Sequence, residues 1–241
     1  MPNSRTARLL PIAAAALVLT CGFSLQARPA TAAQPAPSGL AAVLAQMDAS
    51  SANFRSAQAS LRKEQFEKIV HDTTTETGTI YFLRNGASVQ MGAKFDPPAA
   101  QTVEYKGGLV RLYTPSTNHV EEYSAAGKDQ AQVDTFVTLG FGGSGKDLAR
   151  AWSITDQGPE QITDGGKPVK VEKLDLVSKD PSVRNTFTHI IIWIDPVRDV
   201  ALKQESFAPG GDTNTVTYSN IRLNQPIDLK AYAIKCKGKC S

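Results

Sequence analysis

The chain has 241 residues, 41% of them apolar and 20% charged, and a formal net charge of +3. The excess charge sits at the start: Arg5, Arg8 and Arg28 have no acidic neighbour before residue 33, and 23 basic and 23 acidic residues remain after it. A near-neutral chain with interleaved charges has no basic patch for nucleic acid, and its length suits one domain with a sizeable core.

Residues 1–32 read as a signal peptide: a basic start, an apolar run from Leu9 to Thr20 and a small-residue exit at Ala27 or Ala30-Thr31-Ala32. The run is too short to span a bilayer, which takes roughly 20 apolar residues. Val18-Leu19-Thr20-Cys21-Gly22 also resembles a lipobox with Thr20 out of pattern, so the alternative to ordinary cleavage is a lipid anchor on Cys21. Either way the expected location is the periplasm.

A Pro/Ala linker at 33–38 leads to a domain at 39–235 and a Cys-containing tail at 236–241. Ser38 can cap a helix in which Leu40, Val43, Leu44 and Met47 share one face. The chain then turns to strands. Thr79–Leu83 precedes Asn85-Gly86, and Val89, Met91, Ala93 and Phe95 alternate with polar residues up to Pro97-Pro98. Val103–Tyr105 and Leu109–Tyr113 form a hairpin on Gly107-Gly108, and His119–Tyr123 makes a further short strand.

The middle is helix-spaced. Val133, Phe136, Val137 and Gly140 follow a possible cap at Asp129, and Ser144 can cap a second short helix through Leu148 and Ala151. Strands return at Val169–Val177, Phe187–Ile194, Val200–Phe207 and Thr213–Leu223, separated by Gly/Pro/Asp turns. Short connections between neighbouring strands predict an antiparallel sheet, and nothing alternates as βαβ. A sheet this long curls.

Gly140–Asp147 fits the phosphate-binding loop pattern G-x-x-x-x-G-K, but Asp147 stands where a Ser or Thr hydroxyl should meet Mg²⁺. The segment before it reads as helix and not strand. It is therefore read as a flexible loop whose glycines serve as hinges. His71, His119 and His189 lie far apart with no ligand-spaced partner, no Gly-x-Ser-x-Gly frames a serine, and adjacent Glu121 and Glu122 point to opposite faces. Cys236 and Cys240 close Cys-Lys-Gly-Lys-Cys; a local disulfide is the main expectation, with free thiols or a metal as alternatives.

The order of elements resembles the LolA-like family of periplasmic outer-membrane lipoprotein carriers. Lys106–Pro115 followed by Val120–Tyr123 looks like that family's hairpin, and Phe136–Leu148 is similar to its helix and loop. Ile191–Asp195 and Tyr218–Ile227 resemble its later strands. The resemblance implies a mainly β fold with some α, an unclosed antiparallel β-barrel of about 10–11 strands whose hydrophobic concave face is covered by helices. It also implies a monomeric carrier, without enzymatic activity or cofactor, that binds the acyl chains of lipoproteins or a related lipid. The implied partners are that acylated cargo, an inner-membrane ABC-type lipoprotein releasing complex and an outer-membrane acceptor.

The expected cavity and lid are Ile80, Phe82, Val89, Met91, Phe95, Val103, Leu112, Phe136, Leu139, Phe141, Leu148, Trp152, Ile192 and Ile194. One departure stands out: better-known members carry an arginine that ties the lid shut near the position of Val89, and the nearest basic residues here are Arg84 and Lys94. An envelope-stress sensor of the same fold is the alternative reading, and a secreted hydrolase the next.

Overall fold

A computed structural model describes residues 39–86, 88–124, 134, 136–238 and 240. The expected signal peptide, its Cys21, and the capping residues Ser38 and Asp129 lie outside the described residues, as does Val133. The first helix, α1 (Leu40–Asn53), is capped by Gly39, which makes no side-chain cap bond. It is held by packing instead: Met47 is buried, and Leu40, Val43 and Leu44 join the same apolar cluster.

Eleven strands follow among the described residues: β1 (Ser56–Glu67), β2 (Asp72–Asn85), β3 (Ser88–Phe95), β4 (Thr102–Lys106), β5 (Leu109–Thr114), β6 (His119–Ser124), β7 (Trp152–Asp164), β8 (Lys167–Ser178), β9 (His189–Asp195), β10 (Val200–Phe207) and β11 (Thr213–Leu223). Two short helices interrupt them, α2 (Gly145–Ala151) before β7 and α3 (Pro181–Thr186) before β9. All form one antiparallel sheet in the order β6-β5-β4-β3-β2-β1-β11-β10-β9-β8-β7. The sheet is not closed; β6 and β7 are its edges. The fold is thus mainly β with some α, an unclosed barrel-like sheet.

Two strands were illegible in the sequence. β1 carries Leu-Arg-Lys-Glu-Gln-Phe-Glu, residues with good helix propensity, yet it is held on both sides, by β2 and β11. Pairing along both edges outweighs a local preference of a few tenths of a kcal/mol per residue. β7 is polar along most of its length because it is an edge, and a register shift between Asp156 and Pro159 interrupts its ladder.

Residues opposite each other in the ladder share a face, so cross-strand rows define the inner one. One row runs Ala57, Phe82, Met91, Tyr105, Val110; the next runs Ala59, Ile80, Ala93, Val103, Leu112. Across the centre, Leu61 stands opposite Tyr218, and beyond it Gln204, Ile192 and Leu174 continue the face. The outer face carries Gln58, Tyr81 and Glu104, and the chain after β11 crosses it. There Tyr232 meets Tyr81 edge-on at 4.8 Å and accepts from Gln58 Nε2, and the Ile234 N–H donates to Glu104. The tail reaches Asn118, whose Oδ1 accepts from the Lys237 N–H. Cys236 and Cys240 are joined there, with Cα atoms 5.3 Å apart.

Candidate functional site: an apolar inner face and its lid

The stretch 136–144 ahead of α2 lies over the inner face. Its Phe136 and Val137 are helical, and a turn carries the chain from Thr138 to Phe141. Phe141 is fully buried. Its ring stacks on Phe82 at 4.5 Å and meets Tyr218 edge-on at 4.9 Å. The Phe141 N–H donates to Thr138 O, and the Ala201 N–H donates to Gly140 O.

The expected residues divide into two apolar clusters. Ile80, Phe82 and Phe141 are buried in the first, with Met91, Phe95 and Val103 packed against it. Leu139, Leu148, Trp152, Ile192 and Ile194 fall in the second, with Met47 of α1, Leu174, Leu176 and Ile190. Val89 is buried and lines the cleft described below, whereas Leu112 is half-buried and belongs to neither cluster. Phe136 is 41% exposed and belongs to neither, but its ring stacks on Phe187, which packs against the second.

The glycines of the lid loop are tightly packed where the loop lies. A Cβ on Gly145 would stand 2.1 Å from the Leu44 carbonyl oxygen, one on Gly142 2.3 Å from the Phe54 ring, and one on Gly140 2.3 Å from Ala201 Cβ. The loop can lie against α1 and β10 only because these side chains are missing. Asp147 has an equally local reason. Ser144 caps α2, accepting from the Asp147 N–H, while its hydroxyl donates to the Asp147 carboxylate. That reciprocal arrangement is a helix cap and explains a carboxylate where a phosphate loop would need a hydroxyl.

Polar contacts fasten the loop. Arg84 is on the inner face of β2, directly opposite Val89 on β3. Its Nη2 donates to the Gly142 carbonyl, and its guanidinium lies 5.8 Å from the Phe54 ring. Ser51 Oγ donates to the same carbonyl at 3.0 Å, and Gln204 Nε2 donates to Leu139 O at 2.5 Å. Sequence position alone pointed to Val89; the ladder puts the basic side chain one strand over, in the same row. Met47, Ser51, Phe54, Tyr105 and Tyr218 also belong to the site and were not picked from the sequence, although Met47 lay in the helical apolar pattern.

Between α1, the lid loop, α2 and the β2–β3 hairpin is a cleft of about 220 Å³. Met47, Val89, Leu139 and Leu148 supply apolar walls; Arg84, Asp134, Asp147, Arg150 and the hydroxyls of Ser51, Thr138 and Ser144 line the rest. Tyr105 donates to Asp134 at 2.5 Å, and burial, reinforced by that carboxylate, pushes the phenol well above its ordinary range. Burial does the same to Tyr218. Both phenols are therefore neutral donors at any physiological pH. Among the described residues no cluster of His, Cys, Asp and Glu could hold a metal ion, and no helix is long and apolar enough to cross a membrane.

A curled sheet whose apolar face is covered by a lid and one helix defines a class of lidded, apolar-faced β-proteins. No family model and no curated protein matches the chain. Solved structures do. The chain is similar to MucB, with 12% identity and a TM-score of 0.50 over 83% of this chain and 64% of that one. It is also similar to a putative outer membrane lipoprotein-sorting protein domain from Vibrio parahaemolyticus, with 14% identity and a TM-score of 0.44 over 80% and 95%. A LolA superfamily protein from Nitrosomonas europaea gives 14% and 0.39 over 82% and 99%. At these identities the likeness is one of fold.

Proposed function

We propose that this protein is a periplasmic carrier that takes the acyl chains of a lipoprotein, or of a related lipid, onto its inner face and passes them from the inner to the outer membrane. The observation that carries the reading is the seating of Phe141. A lid residue fills the apolar space between Phe82 and Tyr218, on a loop held by hydrogen bonds to the Leu139, Gly140 and Gly142 carbonyls. Such a lid can leave as cargo arrives, exchanging one set of apolar contacts for another.

Exchange is what a carrier needs. Burying one CH₂ is worth about 0.8 kcal/mol, so a fully buried chain of about 16 carbons would gain roughly 13 kcal/mol. That corresponds to nanomolar binding before costs, and several such chains would never be released. Displacing Leu139 and Phe141 from the inner face offsets part of that gain. The signal-like residues 1–32 and the lipoprotein-sorting name carried by one fold neighbour support the envelope location and the cargo class.

The test is native mass spectrometry of protein purified from its own periplasm, followed by solvent extraction of what it carries. Acylated species that co-purify, and that are lost in Met91→Glu, are the expected result. A clean apo mass with no uptake of added lipoprotein or phospholipid would overturn the reading. A stable protein partner in place of lipid would turn it toward the stress-sensor alternative, and turnover of an ester substrate toward the hydrolase.

A further inference from the structure

The turn that joins β1 to β2, residues 68–71, is a place for glycine, asparagine or aspartate. It carries instead the adjacent β-branched residues Ile69 and Val70, 92% and 63% exposed. The strands behind it are polar, at 62–65 on β1 and 72–77 on β2. The hairpin also projects. Residues 72–77 pair with β1 alone, because β3 joins β2 only from Gly78, so the tip stands roughly 20 Å beyond the end of β3. The ladder pairs Phe66–Thr213, Phe207–Thr213 and Phe207–His189 put the β10–β11 turn and the start of β9 at this same end of the sheet. In that turn Ala208-Pro209-Gly210-Gly211 is uncharged, and the Lys68 N–H fastens the tip to it through Asp212. Phe187, on which the exposed Phe136 stacks, leads into β9 here as well.

We propose that the 68–71 tip dips into the surface of a lipid bilayer and is the contact through which this protein meets a membrane. The inference deepens the carrier reading and rests on it for its purpose. Two aliphatic side chains on a convex turn offer too little area for a stable protein interface, which takes roughly 800 Å² per partner. A fluid bilayer closes around any shape. Glu67 and Asp72 face each other directly behind the turn, and the cost of taking carboxylates into hydrocarbon stops insertion there. Lys68 lies over Gly211 at that boundary, where its stem can stay apolar and its ammonium can meet headgroups. Insertion limited to two aliphatics gives a weak, reversible contact, which suits a carrier that must leave the membrane again.

The experiment is flotation of the protein, purified from the periplasm, with phosphatidylcholine vesicles. The unaltered protein should float with them, and the double variant Ile69→Asp, Val70→Asp should partition roughly tenfold less or weaker still. Val197→Asp is the control: Val197 is 90% exposed on the β9–β10 turn, at the opposite end of the sheet, and its replacement should change nothing. Ile69→Trp reads insertion directly, since Trp152 and Trp193 are both buried. Its emission should shift to the blue with vesicles and be quenched by lipid brominated on the acyl chains. Equal flotation of the double variant and the parent, as a lipid anchor at Cys21 would give, would overturn the proposal, and so would an equal loss from Val197→Asp. A parent that takes up acyl lipid, read by native mass spectrometry, but never floats would overturn it too and leave the carrier reading standing. Flotation that depends on the tip, without any uptake of acyl lipid, would overturn the carrier reading and leave the membrane contact.

Discussion

Arg84 and Val89 face each other across the β2–β3 ladder, and from there the Arg84 guanidinium reaches the Gly142 carbonyl of the lid loop. A charge-assisted hydrogen bond of this kind contributes about 1.5–3 kcal/mol. Replacing Arg84 with Leu removes it and leaves Ser51 as the remaining donor to that carbonyl. Amides from Gly142 to Leu148 should then exchange with solvent roughly 10-fold faster or more, with little change in the strands. Unchanged exchange at the loop would mean that packing alone holds it.

Phe141 tests the exchange of lid for cargo. Phe141→Ala should cost about 3–5 kcal/mol in denaturant unfolding, the usual range for a fully buried phenylalanine. If cargo occupies the same space, the loss should shrink when acyl lipid is present, because the ligand fills the cavity the substitution opens. Equal losses with and without lipid would place the acyl chains elsewhere.

Gly145 sets how closely α2 approaches α1. Its missing side chain leaves room for the Leu44 carbonyl, which a Cβ would meet at 2.1 Å. Backbone cannot yield as a flexible side chain can. Gly145→Ala should therefore destabilise by about 1–3 kcal/mol, despite alanine's better helix propensity. A neutral or stabilising effect in thermal unfolding would show that the two helices separate at no cost.

Asp199 gives a pH dependence with a definite sign. Burial raises its pKa above the ordinary carboxylate value, partly opposed by a hydrogen bond from Ser50. A carboxyl with a raised folded-state pKa binds its proton more tightly when folded, so its ionised form costs stability at neutral pH. Asp199→Asn should raise Tm at pH 7. The gain should shrink as pH falls through the raised pKa and vanish below the unfolded value. Asparagine tolerates the left-handed backbone found there, φ 54°, so the change adds little strain. A gain that persisted at acid pH would trace to something other than ionisation.

Much of the sheet was legible because its signals are local. Alternation from Val89 to Phe95, the Gly107-Gly108 turn and the stop at Asp195-Pro196 each depend on a few neighbouring residues, and each marks an element of the structure. The cap at Ser144 was legible for the same reason. β1 was not, since its inner face of Ala57, Ala59, Leu61 and Lys63 carries only one large apolar side chain, Leu61. Only its partners on both sides make it a strand. In the lid loop the rejection of a phosphate site was legible at Asp147, which proves to belong to the helix cap, whereas the close contacts of its glycines with α1 and β10 were not.

By itself the sequence determined which residues are apolar, their period, and hence which of them share a face of each strand. Tertiary structure alone decided which strands lie side by side. Alternation specifies a face and carries no information about a partner, and β1 meets β11 across roughly 150 residues of intervening chain. That long-range register puts Phe82 opposite Met91, brings Tyr218 to Phe141 from the other half of the chain, and aims Arg84 at a carbonyl 58 residues further along.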